Sequence, residues 1–189
     1  MVLDIIKNRW SPVSFSSEPV EEYKLKAILE AARYAPSSMN EQPWLFILTT
    51  RDHPEQFQNV LDLLVEGNKT WAKNAYALIV SLARMKHSYK DRPNKYAFHD
   101  TGMAVSNMLL QATSMGVYIH QMGGFSADRA KEYFNLDQDI EPVAVMALGY
   151  IGDGSGLPPE LFKRDSVRKP RKEMNDYAFR NNLNNPAFG

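Results

Sequence analysis

Four short stretches of this chain concentrate groups that hold small anions or flat polar molecules. The first is Arg9-Trp10-Ser11, where a guanidinium and a hydroxyl stand beside a helix end. They suit a phosphate, though on the spacing alone a surface arginine beside a helix cap is the commoner reading. The second is Ala35-Pro36-Ser37-Ser38-Met39-Asn40-Glu41-Gln42-Pro43-Trp44. Its hydroxyls and side-chain amides can meet the donor and acceptor edges of a heterocycle; a turn-rich connection has the same composition. The third is Gln121-Met122-Gly123-Gly124-Phe125, whose glycines either let backbone N–H groups approach a ligand or simply end a strand. The fourth spans residues 163–172, where Lys163, Arg164, Arg168, Lys169, Arg171 and Lys172 face one acid, Asp165. Such a run reads as an anion site or as a solvated tail.

What is missing narrows the chemistry. The chain has no G-x-G-x-x-G after its first strand, no P-loop, no nucleophile elbow and no close carboxylate pair. It offers binding groups rather than an acid–base set, which suits redox chemistry in which a cofactor supplies the reactive atoms. No cysteine is present, so disulfides and thiolate sites are excluded. His53, His87, His99 and His120 include no pair at metal-ligand spacing on a helix. Basic and acidic residues balance at 22 each, which argues against a chain-wide field for nucleic acid. No apolar run approaches the roughly 20 residues of a membrane span. The N-terminus is too short and too charged for a signal peptide. The expectation is a soluble, cytoplasmic protein.

The elements that must position these groups follow from periodicity. Residues 2–8 read as a short helix. A second helix is expected from a Ser16 or Ser17 cap to about Tyr34, with Leu25, Ile28, Leu29 and Ala32 as one stripe and Pro36 as its stop. Residues 44–48 are a continuous apolar run, expected as a central strand. Pro54 opens a helix with Phe57, Val60, Leu61 and Leu64 on one face. Residues 75–82, 117–122 and 143–150 read as further strands, residues 101–115 as a buried helix, and residues 126–134 as a helix capped by Ser126. Residues 84–98 read as a loop or lid. Residues 160–189 show little periodicity, as expected of a tail that is disordered or laid over another surface.

Taken together, the four stretches resemble the nitroreductase family of FMN-dependent oxidoreductases, in order along nearly the whole chain. The family's Ala-Pro-Ser-Ser-x-Asn-x-Gln-Pro-Trp is present as residues 35–44, and its N-terminal Arg-x-Ser stretch as Arg9 to Phe15. Its glycine-containing strand end corresponds to residues 121–125, and its C-terminal Lys-x-Arg to Lys169-Pro170-Arg171. The resemblance implies a single α+β domain over residues 1–189, nitroreductase-like, with a central, mostly antiparallel sheet flanked by helices. Residues 160–189 would be an arm wrapping the partner of a homodimer. It implies that Arg9, Trp10, Ser11, Val13, Lys169 and Arg171 line the phosphate, ribityl and N1/O2 side of FMN. Pro36, Ser37, Ser38 and Asn40 would reach it from the partner chain, and Gln121, Met122, Gly123 and Gly124 would flank its ring. The family carries a basic residue where this chain has Val13. A charge there favours the anionic reduced flavin, so its absence implies a lower potential or compensation by a group such as Arg9. The implied activity is ping-pong electron transfer from NAD(P)H to a small organic acceptor, a nitroaromatic, quinone or similar, with no catalytic side chain. Flavin reductase, dehydrogenase and dehalogenase chemistry on the same scaffold are the alternatives, as is a non-catalytic flavin-binding protein.

Overall fold

Four apolar runs become four strands: β1 (Trp44–Thr50), β2 (Ala77–Arg84), β3 (Tyr118–Met122) and β4 (Ile140–Gly149). The computed structural model describes residues 1–89 and 92–188. The sheet order is β1-β2-β4-β3, and all three pairings are antiparallel. The helices are α1 (Asp4–Asn8), α2 (Glu22–Ala32), α3 (Pro54–Asp62), α4 (Glu66–Ala72), α5 (Ala97–Ser114), α6 (Ala127–Tyr133) and α7 (Pro159–Ser166).

Successive strand side chains point to opposite faces, and both faces here are apolar. Ala77, Ile79, Ile119, Met146 and Leu148 pack with Leu25 and Ile28 of α2 and with Ala104, Val105 and Met108 of α5. Leu78, Val80, Leu82, Met122, Val145 and Ala147 pack with Phe57, Val60 and Leu61 of α3 and Trp71 of α4. Each large side chain so buried contributes about 1.5–3 kcal/mol. The result is a three-layer α+β fold with an antiparallel sheet between helices, as the resemblance implies.

Several local expectations change. α2 begins at Glu22, not after Ser16 or Ser17, and its N-cap residue is Glu21. Residues 15 and 16 are still extended: Phe15 bridges Ile151, and the Ser16 N–H donates to the Tyr150 carbonyl. Residues 44–48 lie in an edge strand, each half-buried, because helices cover both faces but only β2 covers one edge. α4 carries no apolar stripe, only Trp71 and Ala72 buried, so periodicity gave no sign of it. α5 starts at Ala97, inside the expected loop, and Lys86 and Pro93 of that loop form an isolated antiparallel bridge. Lys90 and Asp91 of that loop lie outside the described residues. The expected tail contains α7, whose Leu161 packs with Leu157 onto the core. Ser126 caps α6 as expected, accepting from the Arg129 N–H at 3.3 Å.

Candidate cofactor site

The chain leaves α1 into a segment fixed almost residue by residue. Arg168 donates to the carbonyls of Lys7 at 3.0 Å and Asn8 at 3.3 Å, groups a helix end leaves unpaired. Its guanidinium lies 5.0 Å from the centre of the half-buried Trp10 ring, a cation–π contact. Arg9 donates to the Ser11 hydroxyl at 3.0 Å. The Pro12 carbonyl stands 2.8 Å from Nδ1 of His120 on β3. Asp165 of α7 accepts from the Val13 and Ser14 N–H groups, one per carboxylate oxygen, each at 3.0 Å. Val13 itself is 1% exposed, its side chain in the core on the α3 and α4 side. What Val13 can present is therefore backbone, and its N–H is already held.

The electrostatics of this corner are one-sided. Burial, then the like charges of Arg171 and Arg168, press the Arg9 guanidinium below its usual range. Asp165 is the nearby acid, and two backbone N–H groups occupy its oxygens. A half-buried cation beside two others is favourable once an anion arrives, and a phosphate monoester matches the guanidinium fork and the Ser11 hydroxyl. These residues fit the phosphate end of a nucleotide cofactor. Lys169 is exposed on the same stretch.

The loop between α2 and β1 is tightly wound. Met39, Asn40 and Gln42 all hold left-handed backbone, at φ 55°, 58° and 49°, a conformation that costs non-glycine residues of order 1–3 kcal/mol each. It persists because the surroundings over-determine it. The Gln42 N–H donates to the Ser37 hydroxyl at 3.0 Å, and Gln42 Nε2 to the Asn40 carbonyl at 3.1 Å. The Ser38 N–H donates at 2.9 Å to Asp100, buried at the start of α5. Glu41 accepts from the Ser88 N–H at 2.8 Å, which, with the Ser88 hydroxyl and His87, holds its carboxyl below the usual range. Pro36, Met39 and Asn40 are left exposed.

At the end of β3, Gln121 is exposed and Met122 is buried in the core. The two glycines differ. A Cβ on Gly124 would stand 2.9 Å from both Asn68 Nδ2 and Val65 Cγ2, so this glycine lets α4 dock. A Cβ on Gly123 would meet nothing within 4 Å, so its backbone faces open space. The Gly124 carbonyl is consumed by Val65 and Asn68.

One chain therefore gathers Arg9, Ser11, Arg168 and Arg171, and His120 joins that group to the β3 end that carries Gln121 to Gly124. It does not bring in Pro36, Ser37, Ser38 and Asn40. They precede β1, and β1 and β3 are opposite edges, three strand spacings or roughly 14 Å apart. A polar cavity of ≈ 500 Å³ lined by Phe15, Arg51, Asn74 and Asp153 lies near the Thr50 end of β1 and contains none of these groups. Sequence reasoning missed His120, Asp165 and Arg168 as parts of the site. Arg168 and Asp165 were visible as members of the charged run, and His120 only as the neighbour of Gln121.

The family model described as Nitroreductase family matches residues 6–150. A protein of Archaeoglobus fulgidus named "Putative NADH dehydrogenase/NAD(P)H nitroreductase" is 30% identical over 155 residues, 80% of this chain and 86% of that protein. A protein of Methanothermobacter thermautotrophicus with the same name is 26% identical over 170 residues, 88% of this chain and 85% of its own. A solved structure described as "The crystal structure of the oxidoreductase containing FMN" is 34% identical, with a TM-score of 0.92, covering 98% of this chain and 94% of that one.

Proposed function

The chain belongs to the Nitroreductase family, and on that premise we propose that it is an oxidoreductase that holds FMN and passes electrons from NAD(P)H to a small organic acceptor. The observation that carries this reading is the cation group of Arg9, Arg168 and Arg171 around Ser11, tied through His120 to the strand end with the open backbone of Gly123. A phosphorylated, flat cofactor needs that pair of surfaces at one edge. FMN, when bound, supplies a hydride acceptor and donor. The chain's own part is to orient and to exclude water: arginines and Ser11 hold the phosphate, and the backbone of residues 121–124 flanks the ring. No side chain is assigned a proton transfer. The donor leaves before the acceptor enters the same face, a ping-pong order.

The site is completed by a second copy. Ser37, Ser38 and Asn40 sit at the far edge of their own sheet, so they serve the site of a partner. The outward face of α5 supports this. Asp100 is the one Asp, Glu, Lys or Arg in the helix, and it is buried, while Gly102 and Ser106 are exposed and thin. Beyond α7, Val167, Met174, Tyr177, Leu183 and Phe188 are half or more exposed. An arm over a second subunit covers them. No helix among the described residues is long and apolar enough to cross a membrane.

The deciding measurement is an absorbance spectrum of the protein, loaded with FMN if necessary, before and after NADH or NADPH without oxygen. Bleaching of the flavin band, reversed by a quinone or nitroaromatic, is expected. A protein that takes up no FMN ends this reading.

A further inference from the structure

His120 is a buried titratable side chain that touches the phosphate end of the site and has no part in the activity just proposed. It is 9% exposed, on β3 immediately before Gln121. Its ring lies against Trp71, centroids 4.5 Å apart and planes inclined at 38°. Its Nδ1 is 2.8 Å from the Pro12 carbonyl. A carbonyl only accepts, so Nδ1 carries the hydrogen. Burial, helped by Arg164 and opposed by the Pro12 carbonyl, Asp165 and the Ser11 backbone, holds the imidazole below its usual range, so it is neutral near pH 7 with a defined tautomer.

Pro12 has no N–H, so the carbonyl is its single backbone anchor. On its far side Val13 and Ser14 are gripped by Asp165. On its near side is Ser11, whose hydroxyl receives Arg9. The Pro12 carbonyl, with the Ser11 backbone that also faces the imidazole, thus fixes the chain next to the two phosphate-facing side chains. We propose that His120 is a positioning residue for phosphate recognition: by donating from Nδ1 to the Pro12 carbonyl it sets the Ser11 hydroxyl and the Arg9 guanidinium in the orientation that receives the phosphate of FMN. The inference rests on the reading of the chain as an FMN protein.

A role in packing alone would ask only for a ring against Trp71. The two roles separate on ligand and on variant. His120→Phe keeps a ring and loses the donor. His120→Asn places an N–H near the position of Nδ1, and His120→Gln places it one bond further out. The measurement is a fluorescence titration of each flavin-free chain with FMN and with riboflavin, which has the same ring and no phosphate. The expected result is that His120→Phe binds FMN roughly tenfold more weakly, the worth of about one hydrogen bond, and binds riboflavin as the parent chain does. His120→Asn recovers most of the FMN affinity and His120→Gln does not. Equal losses for FMN and riboflavin, or an unchanged FMN affinity in His120→Phe, overturn the proposal. If His120→Phe does not fold, the Asn and Gln variants decide: equal FMN affinities overturn it. If the parent chain binds riboflavin and FMN equally, the phosphate site falls with it; if it binds neither, the FMN reading itself is what fails.

Discussion

Arg9 stands where two further guanidiniums raise the cost of its charge, so its energetics depend on what anion is present. Arg9→Ala and Arg171→Ala should each weaken FMN binding roughly ten- to a hundredfold, the range of a charge-assisted hydrogen bond; titration of the flavin-free chains measures it. Unchanged affinity in Arg171→Ala removes that residue from the phosphate group. His120 gives a pH signature. The unfolded imidazole titrates near 6.5, and the folded one lower because burial disfavours the charge. Between those values the unfolded chain binds more protons, so stability falls as pH drops below about 6.5 and levels once the folded imidazole is also protonated. Urea midpoints across pH 5 to 8 should show this slope in the parent and a shallower one in His120→Phe. The residues that sequence reading missed share a property: His120, Asp165 and Arg168 act on backbone carbonyls and N–H groups. A residue that grips main chain leaves no motif, because any residue presents the same partner atoms. The left-handed backbone at Met39 was illegible for a related reason, since tertiary contacts rather than residue type impose it.

Among the elements, the strands were legible and two helices were not. β2 and β4 are apolar runs buried on both faces, a signal independent of context. α4 holds Gly67, Asn68 and Lys69 in one turn, and its one large buried side chain is Trp71, packed against Phe15 and His120. Trp71→Ala should cost about 3–5 kcal/mol, seen as a lower denaturant midpoint, and should loosen the His120 ring that rests on it. α7 was hidden because Leu161 is its one half-buried apolar side chain. Its value to the fold lies in Asp165, which no hydrophobic pattern announces. Residues 44–48 were expected as a central strand because their apolar run is continuous; the helices above and below account for that run without a strand on the outer side.

At the scale of the molecule, the antiparallel three-layer fold is the one the family resemblance implies, and it is shared with the solved FMN-containing oxidoreductase. Assembly is the remaining expectation. Sedimentation at micromolar concentration should find a dimer, and a chain ending at Ser166 should dissociate more readily because the apolar residues beyond it are gone; a monomer at that concentration contradicts a site built from two chains. On the proposed two-chain site, opposite-edge placement of the two stretches would also make the protein divisible in a way that most enzymes are not. Arg9→Ala damages one edge of a subunit and Asn40→Gly the other. When the two defective chains are unfolded and refolded together, a mixed pair concentrates both lesions in one site and leaves its twin with neither. Random pairing then restores about a quarter of all sites, from two populations that are each defective alone.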